Sequence, residues 1–424
     1  MEQIELFDKI RSSLQPERPV RSPEFLRGRA DEFKKTVREL SHFDGVPFIF
    51  GHRGVGKTSL SRTAAQMATK SDREHIYVAC APGSNMLDIF REIGEGMLSL
   101  IFKLDDSSWE CKKLDIGLSL NPFIKASFEN KIAELPVLKD ANEAVRTLKM
   151  LDEALPDARQ TVVVIDELEE LSQENRNSLA YLIKQLGDQE FETRFMFVGI
   201  AENVFELLGT HASVPRYLTE IHLKPLIAQD LIDIIDVASN ELSISVDRDI
   251  KLRIAMIGNG FPYYAHLIGK TMFVEAVERD LTVVSKEVFI AGVNSAIDQS
   301  LQELKISYDA ASQRGADYFK YLLWALADFD EVDVRINDWE ERYQELAIKC
   351  RHETATANQF KNAYGNLLKE GYGAIIRKTP AVYGDTETRY RYRRFSNPLM
   401  KGYIRLQAES EGFQLGLSTD VANV

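Results

Sequence analysis

Cysteine is nearly absent from this chain. Its 424 residues contain three, Cys80, Cys111 and Cys350. They are too few and too far apart for a disulfide framework or for zinc ligation at short spacing. Cys80 lies in an apolar stretch and reads as core, and this usage fits a reducing cytoplasm. Long apolar runs are missing as well. Nothing approaches the roughly 18 residues that suggest a membrane span, and Met1-Glu-Gln-Ile-Glu lacks the basic start and apolar centre of a secretory signal. Positive charge is short, with 52 Lys and Arg against 65 Asp and Glu, a net −13. No internal repeat and no low-complexity tract is visible. What is left is 44% hydrophobic and 28% charged, the composition of a soluble globular protein. At about 150 residues per domain the length suggests two or three domains.

The charge deficit is uneven. Residues 351–405 hold eleven Lys and Arg against four Asp and Glu, a local +7, so the remainder carries −20. Such asymmetry predicts a basic functional module on an acidic body.

The most informative segment is Gly51-His-Arg-Gly-Val-Gly-Lys-Thr58. It follows a short apolar strand (Val46, Phe48, Ile49, Phe50) and opens a predicted helix, Thr58 to Met67. That is the setting of a phosphate-binding P-loop. Glycines let backbone N–H groups turn inward around an anion, and the helix N-terminus adds partial positive charge. Gly51, Arg53, Gly54, Val55, Gly56, Lys57, Thr58 and Ser59 are the candidate nucleotide-binding residues. Lys57 would reach the outer phosphates, and the Thr58 hydroxyl would hold Mg²⁺. A second Gly-Lys-Thr at 269–271 has Tyr264 where the first glycine is needed, so no cradle forms there.

Asp166-Glu167 ends the apolar run Val162-Val-Val-Ile165. A carboxylate at the tip of a buried strand can hold Mg²⁺ through water, and the next residue can polarise the attacking water. Asp166 is assigned to the metal and Glu167 to the base. A further strand, 195–200, leads to Glu202 and Asn203. Either could contact the γ-phosphate, and Asn203 is the choice. Arg216, in Ser213-Val-Pro-Arg216, could reach the phosphates of a neighbouring subunit, or it could serve as a surface residue or an internal ion pair.

Phe25–Glu32, the P-loop, Asp166-Glu167, Gly199–Asn203, Ser213–Arg216 and Gly260-Phe-Pro262 occur in the order of AAA+ ATPases. Over roughly residues 25–300 the chain resembles the branch shared by origin-recognition/Cdc6-type initiators and bacterial STAND-like ATPases. The resemblance implies an α/β class, namely a P-loop core whose parallel sheet is flanked by helices, followed by a helical lid. It also implies that Phe25–Arg29 lies near the adenine, that Pro262 packs near the base, and that Arg216 acts in trans within a homo-oligomer. The initiators' lid arginine is missing, and Gly258-Asn-Gly-Phe-Pro-Tyr-Tyr-Ala-His266 stands in its place. His266 reads as a packing histidine of a helix.

The resulting division is an N-terminal arm at 1–24, the core at 25–225 with a β-hairpin insertion at 103–135, a lid at 226–300, a linker at 301–315, a winged helix at 316–405 and a tail at 406–424. In the winged helix, Phe360, Tyr364 and Leu367 would face inward on the third helix, with Lys361 and Asn362 outward. Arg389, Arg391 and Arg393 share one face of a following strand by alternation. Arginines neutralise phosphates while a helix enters the major groove, so these five residues are the candidate contacts to duplex DNA. The expected function is Mg²⁺-dependent ATP hydrolysis at a subunit interface coupled to DNA. The alternative is a STAND-like, slowly turning nucleotide-gated switch with an unidentified protein partner.

Overall fold

The computed structural model describes residues 2–19, 22–42, 45–69, 74–104, 134–201, 204, 207, 214–313, 318–379 and 391–416. The chain divides into two compact units. One comprises residues 1–18, 53–55 and 225–424, the other residues 19–52 and 56–224. Helix α1 (Glu2–Ser13) belongs to the first unit.

The second unit is built on a parallel sheet. Its elements are α2 (Ala30–His42), β1 (Val46–Gly51), α3 (Lys57–Ala68), β2 (Ile76–Ala79), α4 (Met86–Leu104), α5 (Ala141–Ala154), β3 (Val162–Asp166), α6 (Gln173–Asp188), β4 (Arg194–Ile200) and β5 (Leu218–Leu223). The five strands run in the order β2-β3-β4-β1-β5, all parallel. Composition follows position in the sheet. Val162 through Ile165 and Met196 through Val198 are fully buried, because helices cover both faces of the central strands. The edge strands alternate instead: in β2, Ile76 and Val78 are buried while Tyr77 is half-buried and Ala79 exposed. The register sets Ala79 beside Asp166, and Gly51 beside Ile200. The carboxyl ends of β1, β3 and β4 therefore share one edge, where ligands of open α/β sheets bind.

Helix ends are fixed by local chemistry. Asp140 caps α5 by accepting the Glu143 N–H at 2.8 Å, and Ser172 caps α6 through the Asn175 N–H. Each such cap contributes about 1 kcal/mol. Asp152, buried on α5, accepts the N–H groups of Glu192 (3.0 Å) and Thr193 (2.7 Å) and thereby sets where β4 begins.

The first unit continues with α7 (Ala228–Leu242), β6 (Ser245–Val246), α8 (Arg248–Gly258), α9 (Pro262–Glu278), β7 (Val283–Val284), α10 (Lys286–Gln299) and α11 (Gln302–Gln313). After these come α12 (Tyr318–Asp328), β8 (Val334–Arg335), α13 (Ile336–Lys349), α14 (Ala357–Leu367), β9 (Ile376–Lys378), β10 (Tyr392–Phe395) and α15 (Met400–Ser410). Helix α1 is docked rather than free. Ile10 and Leu14 are buried, and Gln3 donates to Asp280 at 2.9 Å. The expected polar arm at 1–24 thus begins with a packed helix. Ile10 and Leu14 are its buried apolar anchors, a signal too short to stand out in a polar stretch. The expected linker at 301–315 is largely helix α11, with Leu304, Tyr308 and Ala311 buried along one face.

The last part of this unit is a helix–strand–helix–helix–strand–strand run whose antiparallel sheet has the order β8-β10-β9. Its core is aromatic: Trp339, Tyr343, Phe360 and Tyr364 pack ring against ring, and the Trp339 indole N–H donates to the Leu322 carbonyl at 2.8 Å. Of the expected tail, 406–410 completes helix α15 and is mostly buried. The hairpin expected at 103–135 lies almost wholly outside the described residues.

Candidate nucleotide-binding site

The P-loop joins β1 to α3. Gly54 (φ +81°) and Gly56 (φ +97°) take left-handed backbone conformations, and Gly56 is the N-cap of α3. A Cβ at either position would be strained, which is why the motif needs glycine there. Gly51 and Val55 are buried, and Ser59 is half-buried on the first turn of α3. Lys57 is 8% exposed, and its ammonium donates to the His52 carbonyl at 2.9 Å. The amine therefore folds back over the loop it serves. Arg53 is half-exposed and engages Glu303 at 3.2 Å.

Across from the loop, Asp166 at the end of β3 gathers donors. Its Oδ2 accepts the Thr58 hydroxyl at 2.9 Å and the Tyr77 hydroxyl at 2.9 Å, while Oδ1 accepts the Glu167 N–H at 2.7 Å. Thr58 and Asp166, 108 positions apart in sequence, are in direct contact. Because the Thr58 hydrogen is directed at Asp166, the hydroxyl lone pairs are left for a cation. A hydroxyl and a buried carboxylate are the oxygen donors a Mg²⁺ site requires, so the residues present fit that ion.

Glu167 follows with φ +61°, an uncommon conformation for a residue other than glycine, and is exposed. Strain of this kind gathers at functional positions. The turn turns its side chain away from the buried strand. Glu169 accepts the Ile200 N–H at 2.8 Å and so ties the end of β4 to the turn after β3. Cys80, beside this carboxylate cluster, is 1% exposed, and burial together with the Asp166 charge pushes its thiol up to about 12. It is an inert core residue, as expected.

Arg29 is 5% exposed and spent internally: its guanidinium donates to the Lys224 carbonyl at 2.6 Å and pairs with Glu32. It secures the exit of β5. Phe25 ends a single helical turn, Pro23–Phe25, and its side chain lies outside the description. Pro262 is the first residue of α9, where its missing N–H costs nothing. His266 on that helix is 7% exposed, and burial lowers its imidazole to about 4, the state of a neutral packing residue. Asn203 and its competitor Glu202 lie outside the described residues. Arg216 is exposed; it stacks on the Tyr217 ring, 4.6 Å from the centroid, and donates to the Tyr217 hydroxyl. Tyr217 in turn donates to Asp188 at 2.6 Å.

The family model described as an AAA domain matches residues 41–208, the span that holds these motifs. This chain is an ATPase with an AAA domain at residues 41–208. Among solved structures, the ATPase is similar to the Walker-type ATPase PABY2304 of Pyrococcus abyssi, at 16% identity and a TM-score of 0.51, covering 94% of this chain and 99% of that one. It is also similar to the Aeropyrum pernix Orc1 protein in complex with DNA (16% identity, TM-score 0.44, 92% and 94% covered). A third is Cdc6p of Pyrobaculum aerophilum (15% identity, TM-score 0.43, 94% and 98% covered). At this identity the Pyrococcus likeness is one of fold. No curated protein matches the sequence.

In the C-terminal module of this ATPase, Lys361 and Asn362 are exposed on α14, opposite the buried Phe360, Ala363 and Leu367. Arg391 is exposed, and Arg389 lies outside the described residues. Arg393 corrects the expectation of a shared outward face. It is 6% exposed, stacks over Tyr364 and donates to the Tyr392 carbonyl at 2.8 Å. Arg394 is buried in a two-pronged pair with Asp333. Lys401 donates to the carbonyls of Phe329, Asp330 and Glu331, and Arg405 is 1% exposed. Four of the eleven basic residues of the +7 segment are thus used inside the fold. Alternation failed because β10 is covered on both faces. Arg377 and Lys378 on β9, not among the expected contacts, are exposed.

Proposed function

We propose that this ATPase holds ATP with Mg²⁺ at the P-loop, hydrolyses it at an interface between subunits, and couples turnover to duplex DNA bound by its C-terminal module, read as a winged helix. The hydrogen bond between Thr58 and Asp166 carries the nucleotide reading, because it joins the end of the phosphate loop to the carboxylate that would hold the metal. Lys57 would neutralise the outer phosphates. Bound Mg²⁺ would offset the charge that builds on the phosphate oxygens. Glu167 would orient and deprotonate the attacking water, and Asn203 or Glu202 would contact the γ-phosphate. Arg216, exposed on its tyrosine platform, is suited to act on a neighbouring subunit.

The DNA part is supported by the exposed polar face of α14, with Asn358, Gln359, Lys361 and Asn362, and by Arg377, Lys378 and Arg391 on and beside the strands. Cations placed this way neutralise phosphates and make binding depend on salt. A second reading is a nucleotide-gated switch that turns over slowly and binds a protein partner. The inward Arg393, Arg394, Lys401 and Arg405 favour it, since they shrink the basic footprint available to DNA.

ATP hydrolysis measured with and without duplex DNA at low salt, with Glu167→Gln as the blank, separates the two. Stimulation by DNA supports coupling; slow turnover indifferent to DNA supports the switch.

A further inference from the structure

Asp166 is held by more than the two motifs require. Tyr77, half-buried on the edge strand β2, directs its hydroxyl at the same Oδ2 that Thr58 occupies. Arg62 on α3 lies over the Tyr77 ring, 3.7 Å from the centroid.

An ionised carboxylate oxygen accepts about two hydrogen bonds. Oδ2 already has two, from Thr58 and Tyr77. Oδ1 has one, from the Glu167 N–H, and keeps capacity for another. We propose that Tyr77, its ring stacked under Arg62, is a positioning residue of the metal-holding end of the site: it saturates Oδ2 and leaves Oδ1 as the oxygen available to Mg²⁺-bound water. This rests on the nucleotide-site reading above. Arg62 belongs to the helix that begins at Lys57, Tyr77 to β2 and Asp166 to β3, so the relay ties the phosphate loop's helix to two strands. A phenylalanine would fill the same space without setting the carboxylate's orientation.

The test is Mg²⁺ titration of the full chain with a fluorescent ADP analogue, read as nucleotide binding rather than turnover. Tyr77→Phe keeps the ring and its stacking with Arg62. It is expected to raise the half-saturating Mg²⁺ concentration on the order of tenfold, as loss of an outer-shell partner does. Nucleotide affinity in EDTA and the melting temperature should stay at wild-type values. Arg62→Met, which keeps the hydroxyl but removes the cation stacked on the ring, should shift the Mg²⁺ curve less and in the same direction. A Tyr77→Phe curve that overlays wild type overturns the proposal. So does a parallel fall in EDTA affinity and melting temperature, which would make Tyr77 a packing residue. If wild type binds no ADP analogue, with or without Mg²⁺, the nucleotide-site reading itself fails.

Discussion

Thr58 gives its hydroxyl hydrogen to Oδ2 of Asp166 across 2.9 Å. One residue opens the helix after the phosphate loop and the other closes a strand two positions away in the sheet, with β4 between β1 and β3. The parallel register aligns the carboxyl ends of these strands, so the contact is a product of topology. On the proposed function it would give a metal-bound nucleotide a partner on each side.

Lys57 and Glu167 should separate binding from chemistry. Lys57→Ala removes the cation that charge-assisted hydrogen bonds to phosphate require, about 3 kcal/mol, or roughly 100-fold in ATP affinity. Glu167→Gln should bind ATP like wild type and hydrolyse it about 10²- to 10⁴-fold more slowly. Equilibrium binding and single-turnover hydrolysis on the two variants check this, and wild-type turnover in Glu167→Gln would remove the base assignment.

Arg216 should matter only between subunits. Its guanidinium is exposed and rests on Tyr217, so Arg216→Ala should leave ATP affinity unchanged. Specific ATPase activity should rise with protein concentration in wild type, and that rise should disappear in the variant. The expected loss is on the order of 10³-fold in the assembled state, the low end for an arginine that stabilises transition-state charge in trans. Activity independent of concentration in both proteins would assign Arg216 to the surface.

The basic residues of the C-terminal module should fall into two groups. Lys361→Ala should weaken duplex binding and lower its salt slope by about 1, with no loss of stability. Arg394→Ala should leave that slope unchanged and cost about 2–3 kcal/mol. This is less than the full value for a buried pair, because the Asp333 side chain is 31% exposed. Fluorescence anisotropy against salt, paired with urea unfolding, distinguishes the groups. An unchanged slope in Lys361→Ala would remove α14 from the interface.

His266 should give stability a pH dependence on the acid side. Its folded value, lowered by burial to about 4, lies below the ordinary value near 6.5. Between the two, the unfolded chain binds the proton and the folded one does not. Stability is therefore full above about pH 6.5 and declines by at most about 1.4 kcal/mol per unit as pH falls toward 4. His266→Leu should flatten this part of the profile, which urea unfolding at a series of pH values would reveal. A slope identical to wild type would mean that another group titrates.

The sequence alone was enough for the ATPase core. Left-handed glycines, a lysine and a hydroxyl at fixed spacing after an apolar strand are local requirements of phosphate binding, so they are written in consecutive residues. The buried β-branched run ending in Asp166 was legible for the same reason, since a central parallel strand must be apolar throughout. Tertiary structure alone decided which distant residues meet. Tyr77 joins Asp166 only because β2 pairs with β3 in one register, and no spacing in the chain records that. It also decided which charges face water. Arg393 and Arg391 look equivalent by alternation, yet one stacks on Tyr364 and the other is exposed, because burial depends on what packs on each face of a strand. Helix α1 was hidden similarly: two buried side chains, Ile10 and Leu14, become an anchor only where α7 and α9 offer them a surface.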